Sequence, residues 1–290
     1  MSSDRYAQLI RYVRLARGLE AEGFYGVAKL LWGLAFADEI RASSAEPLPR
    51  PHTTLDSELS ALIDSLRASQ KPEIIAALER GQQAARENHP VTYEDVPEVA
   101  VCRYCGQLFL GHTPEQCPAC GAAHLTFRQF RPVYYFDPLT PPQALAALEN
   151  GPQHIQRALD GFSAQQMTQP PAPNEWSARD LLWHLLIAQE LLRVRAEKIL
   201  DEHNPLLEGV AAWDMTSQQA LPAGEIWERY RESRQATLER LRAAGDAWWR
   251  TGWHSEFGSV TLLDQATYFA RHEHMHLGQF AQIRHAVLKR

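Results

Sequence analysis

A chain of 290 residues with 45% hydrophobic and 22% charged side chains carries enough apolar material for two domains, each burying its own core. Its net charge of −6 is spread evenly, with 14 basic against 17 acidic residues in 1–137 and 15 against 18 in 138–290, which leaves no basic stripe for nucleic acid or an anionic membrane. No apolar run reaches the roughly 20 residues of a membrane-spanning helix, and the amphipathic start lacks the apolar core of a secretory signal, so a cytoplasmic protein is expected.

In chain order, residues 4–21 place Tyr6, Leu9, Ile10, Val13 and Ala16 on one helical stripe. After Glu22-Gly23 a second helix is predicted from Phe24 to about Ala42, with Val27, Leu30, Leu31, Leu34 and Ala35 inward. Thr53 or Thr54 is the expected cap of a third helix burying Leu55, Leu59, Leu62, Ile63 and Leu66. A fourth opens at Lys71-Pro72 and stops before His89-Pro90. Short strand-like pieces then flank two cysteine pairs, and a proline-rich stretch, Arg131 to Pro142, reads as a linker.

The remainder is helical again. Leu145, Leu148, Ile155, Leu159 and Phe162 predict a helix that Gly151-Pro152 should kink or split. Ser177 with Asp180 makes a capping-box start for a helix running to about Glu202. A long connection containing Trp213 leads to a helix over Ile226–Ala243, then a Trp248–Phe257 loop, then Thr261 and Asp264 opening the last helix, Leu262 to Leu288. The expected architecture is mainly α: a helical unit at 1–97, a small β-containing knuckle at 98–131, a linker at 132–142 and a four-helix bundle with one long crossover at 143–290.

All four cysteines lie in Cys102-Arg-Tyr-Cys105-Gly and Cys117-Pro-Ala-Cys120-Gly. Each C-x-x-C turn wraps backbone amides around a sulfur-bound metal, the following glycine permitting the turn. Four thiolates suit tetrahedral zinc or iron in a closed site. Zinc would make the knuckle structural, and iron would make it a one-electron relay.

Residues 101–130, through Phe127 and Phe130, resemble the rubredoxin-like tail of rubrerythrins. The preceding helices share Glu22-Gly23-Phe24, Ala28-Lys29-Leu30-Leu31 and Ala37-Asp38-Glu39 with that family. The resemblance implies a ferritin/rubrerythrin-like helical unit. It also implies a di-iron site of glutamates and E-x-x-H motifs, which this chain does not supply: Glu39-Ile40-Arg41-Ala42 has no histidine, and Glu87-Asn88-His89 is one residue out of step. The first unit therefore reads as a helical scaffold without that site.

In Arg271-His272-Glu273-His274-Met275-His276, residues four apart share a helix face, so His272 and His276 can point at one spot and His274 cannot. His184, set among Leu181, Leu185 and Ala188 on the capped helix, is the candidate third ligand. Three neutral imidazoles leave a divalent metal with an open position, as in catalytic sites.

Glu175-Trp176-Ser177, His184, Gly258-Ser-Val-Thr-Leu262 and His272…His276-Leu-Gly-Gln279 make residues 140–290 similar to the DinB/YfiT-like family. That resemblance implies a metal (zinc, nickel, manganese or iron) on His184, His272 and His276. It implies a metal-dependent activity, thiol-transferase-like with a low-molecular-weight thiol such as bacillithiol or mycothiol, or hydrolase-like, on a small-molecule substrate. The other reading is a non-catalytic or redox-sensing protein with rubredoxin-type iron or structural zinc. No nucleic acid or membrane partner is expected, and a homodimer stays open. Of the remaining marked residues, Glu273 either orients a ligand imidazole or is solvated, His254 sits in a loop and either lines the mouth of the site or is a bystander, His274 is either exposed or stands behind a ligand, Gln279 stands behind the site, and Trp183, Trp213, Trp248, Trp249 and Trp253 divide between core and pocket wall.

Overall fold

A computed structural model describes residues 3–44, 52–68, 71–87, 89–131, 135, 137–173, 175–210 and 221–288. The chain divides into two compact units, Met1–Ser65 and Leu66–Arg290. Trp213, one of the expected wall residues, lies outside the described residues.

In the first unit, α1 (Ser3–Ala21) and α2 (Tyr25–Ser44) form a helical hairpin through a turn in which Gly23 takes a positive φ of 83°. Ala16, Ala28 and Ala35 are buried, and Trp32 donates from Nε1 to the Glu20 carboxylate at 2.8 Å. Ala35 is inward as expected, but Val27, Leu30 and Leu34 are exposed. The reason is that α2 is apolar on all sides, so periodicity could not choose its inner face, and the small alanines make the contact that lets the hairpin close. The third helix, α3 (His52–Leu66), starts at His52, which puts Thr53 and Thr54 inside it rather than at its cap. Ile63 is buried and Leu62 is not.

The second unit begins with α4 (Pro72–Glu87) and a three-stranded antiparallel sheet of order β2-β1-β3, from β1 (Val99–Cys102), β2 (Leu108–Leu110) and β3 (Phe127–Phe130). Its bundle is built from α5 (Pro141–Leu159), α7 (Ala178–Asp201), α8 (Ala223–Arg242) and α9 (Leu262–Leu288), with α6 (Ala164–Met167) a single turn between the first two. Early α5 packs with early α9 and late α7 and α8 in one core layer, and late α5 with late α9 and early α7 and α8 in the next. So α5 and α9 run one way, α7 and α8 the other, and the α7–α8 connection is the long crossover the sequence predicts. Tyr135, from the stretch read as linker, is buried in the first of these layers.

Two differences from the sequence reading have physical causes. The loop expected between Trp248 and Phe257 is a short helical turn followed by a hairpin, β5 (Thr251–His254) and β6 (Gly258–Thr261), with β4 (Leu206–Leu207) parallel to β5. These strands are too short to show a clear alternation. The α5 helix is neither split nor ended by Pro152. Proline removes the amide that would bond the carbonyl four residues back, Leu148, and Arg234 of α8 donates to that carbonyl from Nη1 at 2.7 Å instead.

Candidate metal centre

Two capping boxes set the helices that carry the histidines. Ser177 Oγ accepts from the Asp180 amide at 3.2 Å while the Asp180 carboxylate accepts from the Ser177 amide at 3.1 Å. Thr261 and Asp264 repeat the exchange at 3.0 and 2.9 Å at the start of α9. Each box satisfies two amides that a helix start leaves without partners.

The antiparallel α7 and α9 then bring His184, His272 and His276 together. Nε2 of His272 lies 3.2 Å from Nε2 of His184 and 3.1 Å from Nε2 of His276. One ligand atom from each of the three falls within 4.8 Å of the others. Two nitrogens bound at about 2.05 Å to one tetrahedral ion sit roughly 3.3 Å apart, so the cluster fits a metal without rearrangement. Burial holds the imidazoles neutral: His184 is pushed down to about 4 and His272 to about 3, each helped by the neighbouring imidazoles, and burial lowers His276 although Gln279 and Glu273 pull the other way. Neutral imidazole is the ligating form.

The surroundings fix the rings. His276 Nδ1 lies 3.0 Å from Gln279 Oε1, an acceptor, so the proton belongs on Nδ1 and the lone pair of Nε2 faces the centre. Gln279 thus stands behind the site as its spacing suggested. Trp176 packs on His184 with ring centroids 4.8 Å apart, and Tyr268 lies parallel to His272 at 6.1 Å. Tyr268 was missed in the sequence, although its place four residues before His272 would have put it on the same face. His184 Nδ1 is buried without a hydrogen-bond partner, for which the structure offers no physical account.

Glu273 neither orients an imidazole nor faces solvent. It is buried and accepts from Arg234 Nη2 and from the Tyr230 hydroxyl, each at 2.5 Å. Arg234 also donates from Nε to Gln189 Oε1 at 2.5 Å. Gly151 makes the space, since a Cβ there would lie 1.7 Å from Glu273 Oε1. The buried ion pair therefore joins α5, α7, α8 and α9 at the residue next to His272 in the chain. His274 is exposed, and its Nδ1 lies 2.8 Å from the Ala270 carbonyl. His254 is buried on β5 and stacks on Phe257, with Nδ1 accepting from the Glu256 amide at 3.1 Å. Trp183 and Trp248 are core, and Trp249 is exposed.

The second cluster is the knuckle. Cys102 and Cys120 have sulfurs 3.7 Å apart, and Cys105 and Cys117 3.6 Å. Sulfurs at about 2.3 Å from one tetrahedral ion would be roughly 3.8 Å apart, so this donor set fits too. Gly106 and Gly121 adopt φ of 78° and 75° after the pairs, as the turn requires. Burial disfavours the Cys102 thiolate, but amides of Cys105 and Tyr104 outweigh it and bring that thiol down to about 7. At Cys120 the Ala122 amide favours the thiolate, yet burial and the other sulfurs push the group up to about 12. Four thiols this close cannot all ionise without a cation among them.

With both donor sets placed, the comparisons become informative. Residues 147–280 match the family model of the DinB superfamily. The matched DinB segment contains His184, His272 and His276 and ends one residue after Gln279. Among solved structures, the chain is similar to YfiT from Bacillus subtilis, described as "a probable metal-dependent hydrolase with an unusual four-helix bundle topology". That likeness is 17% in identity with a TM-score of 0.46, and covers 54% of this chain and 92% of YfiT. No curated protein matches the chain. Among the described residues, no helix is long and apolar enough to cross a membrane.

Proposed function

We propose that the DinB-like bundle is a metal-dependent enzyme that delivers a water or thiol nucleophile to a small electrophilic substrate, in the manner of a hydrolase or thiol transferase. The observation that carries this reading is the convergence of three neutral imidazoles from two helices, His184 buried and His272 and His276 half-buried, with no fourth protein ligand among the described residues. A divalent metal held there would supply an open coordination position and a charge that lowers the pKa of what binds it. The chain's own residues supply the rest. Gln279 sets the His276 tautomer, the Arg234–Glu273 pair fixes the pitch of α9, and Trp176 and Tyr268 wall the rings from bulk water. Replacing His272 with Ala and measuring metal per chain tests the site: one equivalent should be lost, and an unchanged content would sink the assignment. A screen of ester, amide and alkylating electrophiles, with and without low-molecular-weight thiols, separates the two reaction classes.

One observation favours a second reading, a redox or sensing role. The carboxylate nearest the histidines in sequence, Glu273, is committed to Arg234 and Tyr230, and no other carboxylate joins the cluster among the described residues. On that reading the knuckle holds rubredoxin-type iron, and the first unit is a rubrerythrin-like scaffold without a di-iron centre. Aerobically purified protein would then be red, whereas colourless protein carrying zinc on the cysteines removes the redox role.

A further inference from the structure

We propose that the N-terminal hairpin docks against the same hairpin of a second copy of this chain, so that the protein assembles as a dimer through α2 and the adjoining edge of α1. The sequence of α2 gives the first reason. Counting 100° per residue from the buried Ala28, the arc facing away from α1 carries Tyr25, Gly26, Val27, Leu30, Gly33, Leu34, Phe36, Ala37 and Ile40, interrupted by Lys29 and Arg41 and, in the last turn, by Ser43 and Ser44. A helix that is apolar all round is a core helix, yet here six of these large side chains are in water, Tyr25 and Leu30 to more than 60%. Along α1, Tyr6 and Ile10 stand a quarter-turn or a little more from the buried Ala16, in the same rotational sense that Phe36 and Ile40 stand from Ala28. In an antiparallel hairpin that places all four on one side, and they too are exposed.

The area fits a stable pair. Tyr6, Ile10, Tyr25, Phe36, Ile40 and Leu30 lie on the shared side and the back of α2. Six side chains about half exposed, of the roughly 150–250 Å² size of large apolar residues, present on the order of 600 Å², at the lower end of what each partner contributes to a standard interface, roughly 600–1,000 Å². The occupant follows from the geometry of a hairpin. Among the described residues of these two helices only three alanines are buried, with Leu9, Val13, Leu31 and Trp32 among the half-buried residues, and a second pair completes a four-helix layer whose inner face all four helices share. A two-fold axis makes one patch serve both sides, which is the commonest way an apolar face is covered without a foreign partner.

The test is light scattering or sedimentation of the full-length, metal-replete protein across the micromolar range. A mass of two chains is expected. Leu30→Glu combined with Phe36→Glu should give one chain while helicity and the metal content of the histidine cluster stay unchanged. The milder Leu30→Ala and Ile40→Ala should each weaken association by about tenfold or more, the loss expected for one buried large aliphatic side chain. A single-chain mass at every concentration overturns the proposal, as does a dimer whose dissociation constant none of these substitutions moves.

Discussion

Cys102 and Cys120 are 18 residues apart, with their partners in between, whereas His184 and His272 are separated by 88 residues and meet only because two helices pack. The knuckle is thus assembled by turns: local amides point at sulfur, and the main pull on the Cys102 thiol comes from the amides of Cys105 and Tyr104. The histidine cluster is assembled by a core, and beside it an ion pair links α8 to α9 and a proline-freed carbonyl of α5 accepts from the same arginine. A site made from local turns depends on its own loop and its metal. A site made from packed helices depends on every layer that sets their rotation and register.

That contrast predicts which substitutions damage which site. The largest effect is expected from Glu273→Ala. It strands the Arg234 guanidinium in a fully buried position, and breaking such a pair costs about 3–5 kcal/mol. Urea unfolding should show a loss of that size, with metal affinity at the histidines lowered and metal at the cysteines unchanged. Loss of both metals together would break the contrast, because the knuckle would then depend on the bundle. Gly151→Ala should act through the same contact. Its methyl cannot coexist with the present Glu273 carboxylate, and overpacking of this kind costs about 1–3 kcal/mol. If the variant is as stable as the parent, Glu273 is not locked where the structure places it.

These two residues also show where sequence reading stopped. Glu273 reads in the sequence either as orienting a ligand imidazole or as solvated, since mid-helix glutamates commonly are. Its burial depends on Arg234, 39 residues earlier on a helix whose arginines otherwise lie on a solvated face. Gly151-Pro152 reads as a kink or a split because their cost is intrinsic. The compensation for it, an arginine bonded to Leu148 O and a carboxylate filling the glycine's space, is tertiary and leaves no local signal. The i, i+4 histidines, the C-x-x-C spacing and both capping boxes were legible because each is decided within one turn or one loop. On α2 the same logic fails: a helix without a polar face offers no stripe to read, and Val27, Leu30 and Leu34 turn outward.

A smaller effect should follow from pH. Burial, reinforced by the nearby Arg195 charge, pushes buried His254 down to about 3 from an ordinary value near 6.5. Its stabilising contribution is therefore fully present above about pH 6.5 and is lost as pH falls toward 3, since the unfolded chain takes up the proton first. Urea midpoints of the parent should fall with acidification through this window, and His254→Asn should fall less steeply. An identical slope would mean that His254 is as free to protonate as it is in the unfolded chain.

Ser177→Ala should be the mildest of the four, about 1 kcal/mol, the usual worth of a helix N-cap. Its interest lies in position. Ser177 begins the helix that carries His184 seven residues later, and the neighbouring Trp176 packs on that same ring. If the cap only stabilises α7, the unfolding midpoint drops and metal affinity at the histidines does not change. If it also sets the entry of the chain, Trp176 shifts on His184, and affinity falls further than the stability loss accounts for. The Thr261→Ala variant separates the two outcomes. Its cap has the same geometry at the start of α9, but Thr261 lies eleven residues before His272, with no site residue beside it. A loss of affinity in Ser177→Ala without one in Thr261→Ala would show that local chain entry, as well as the packed layer, sets the histidine cluster.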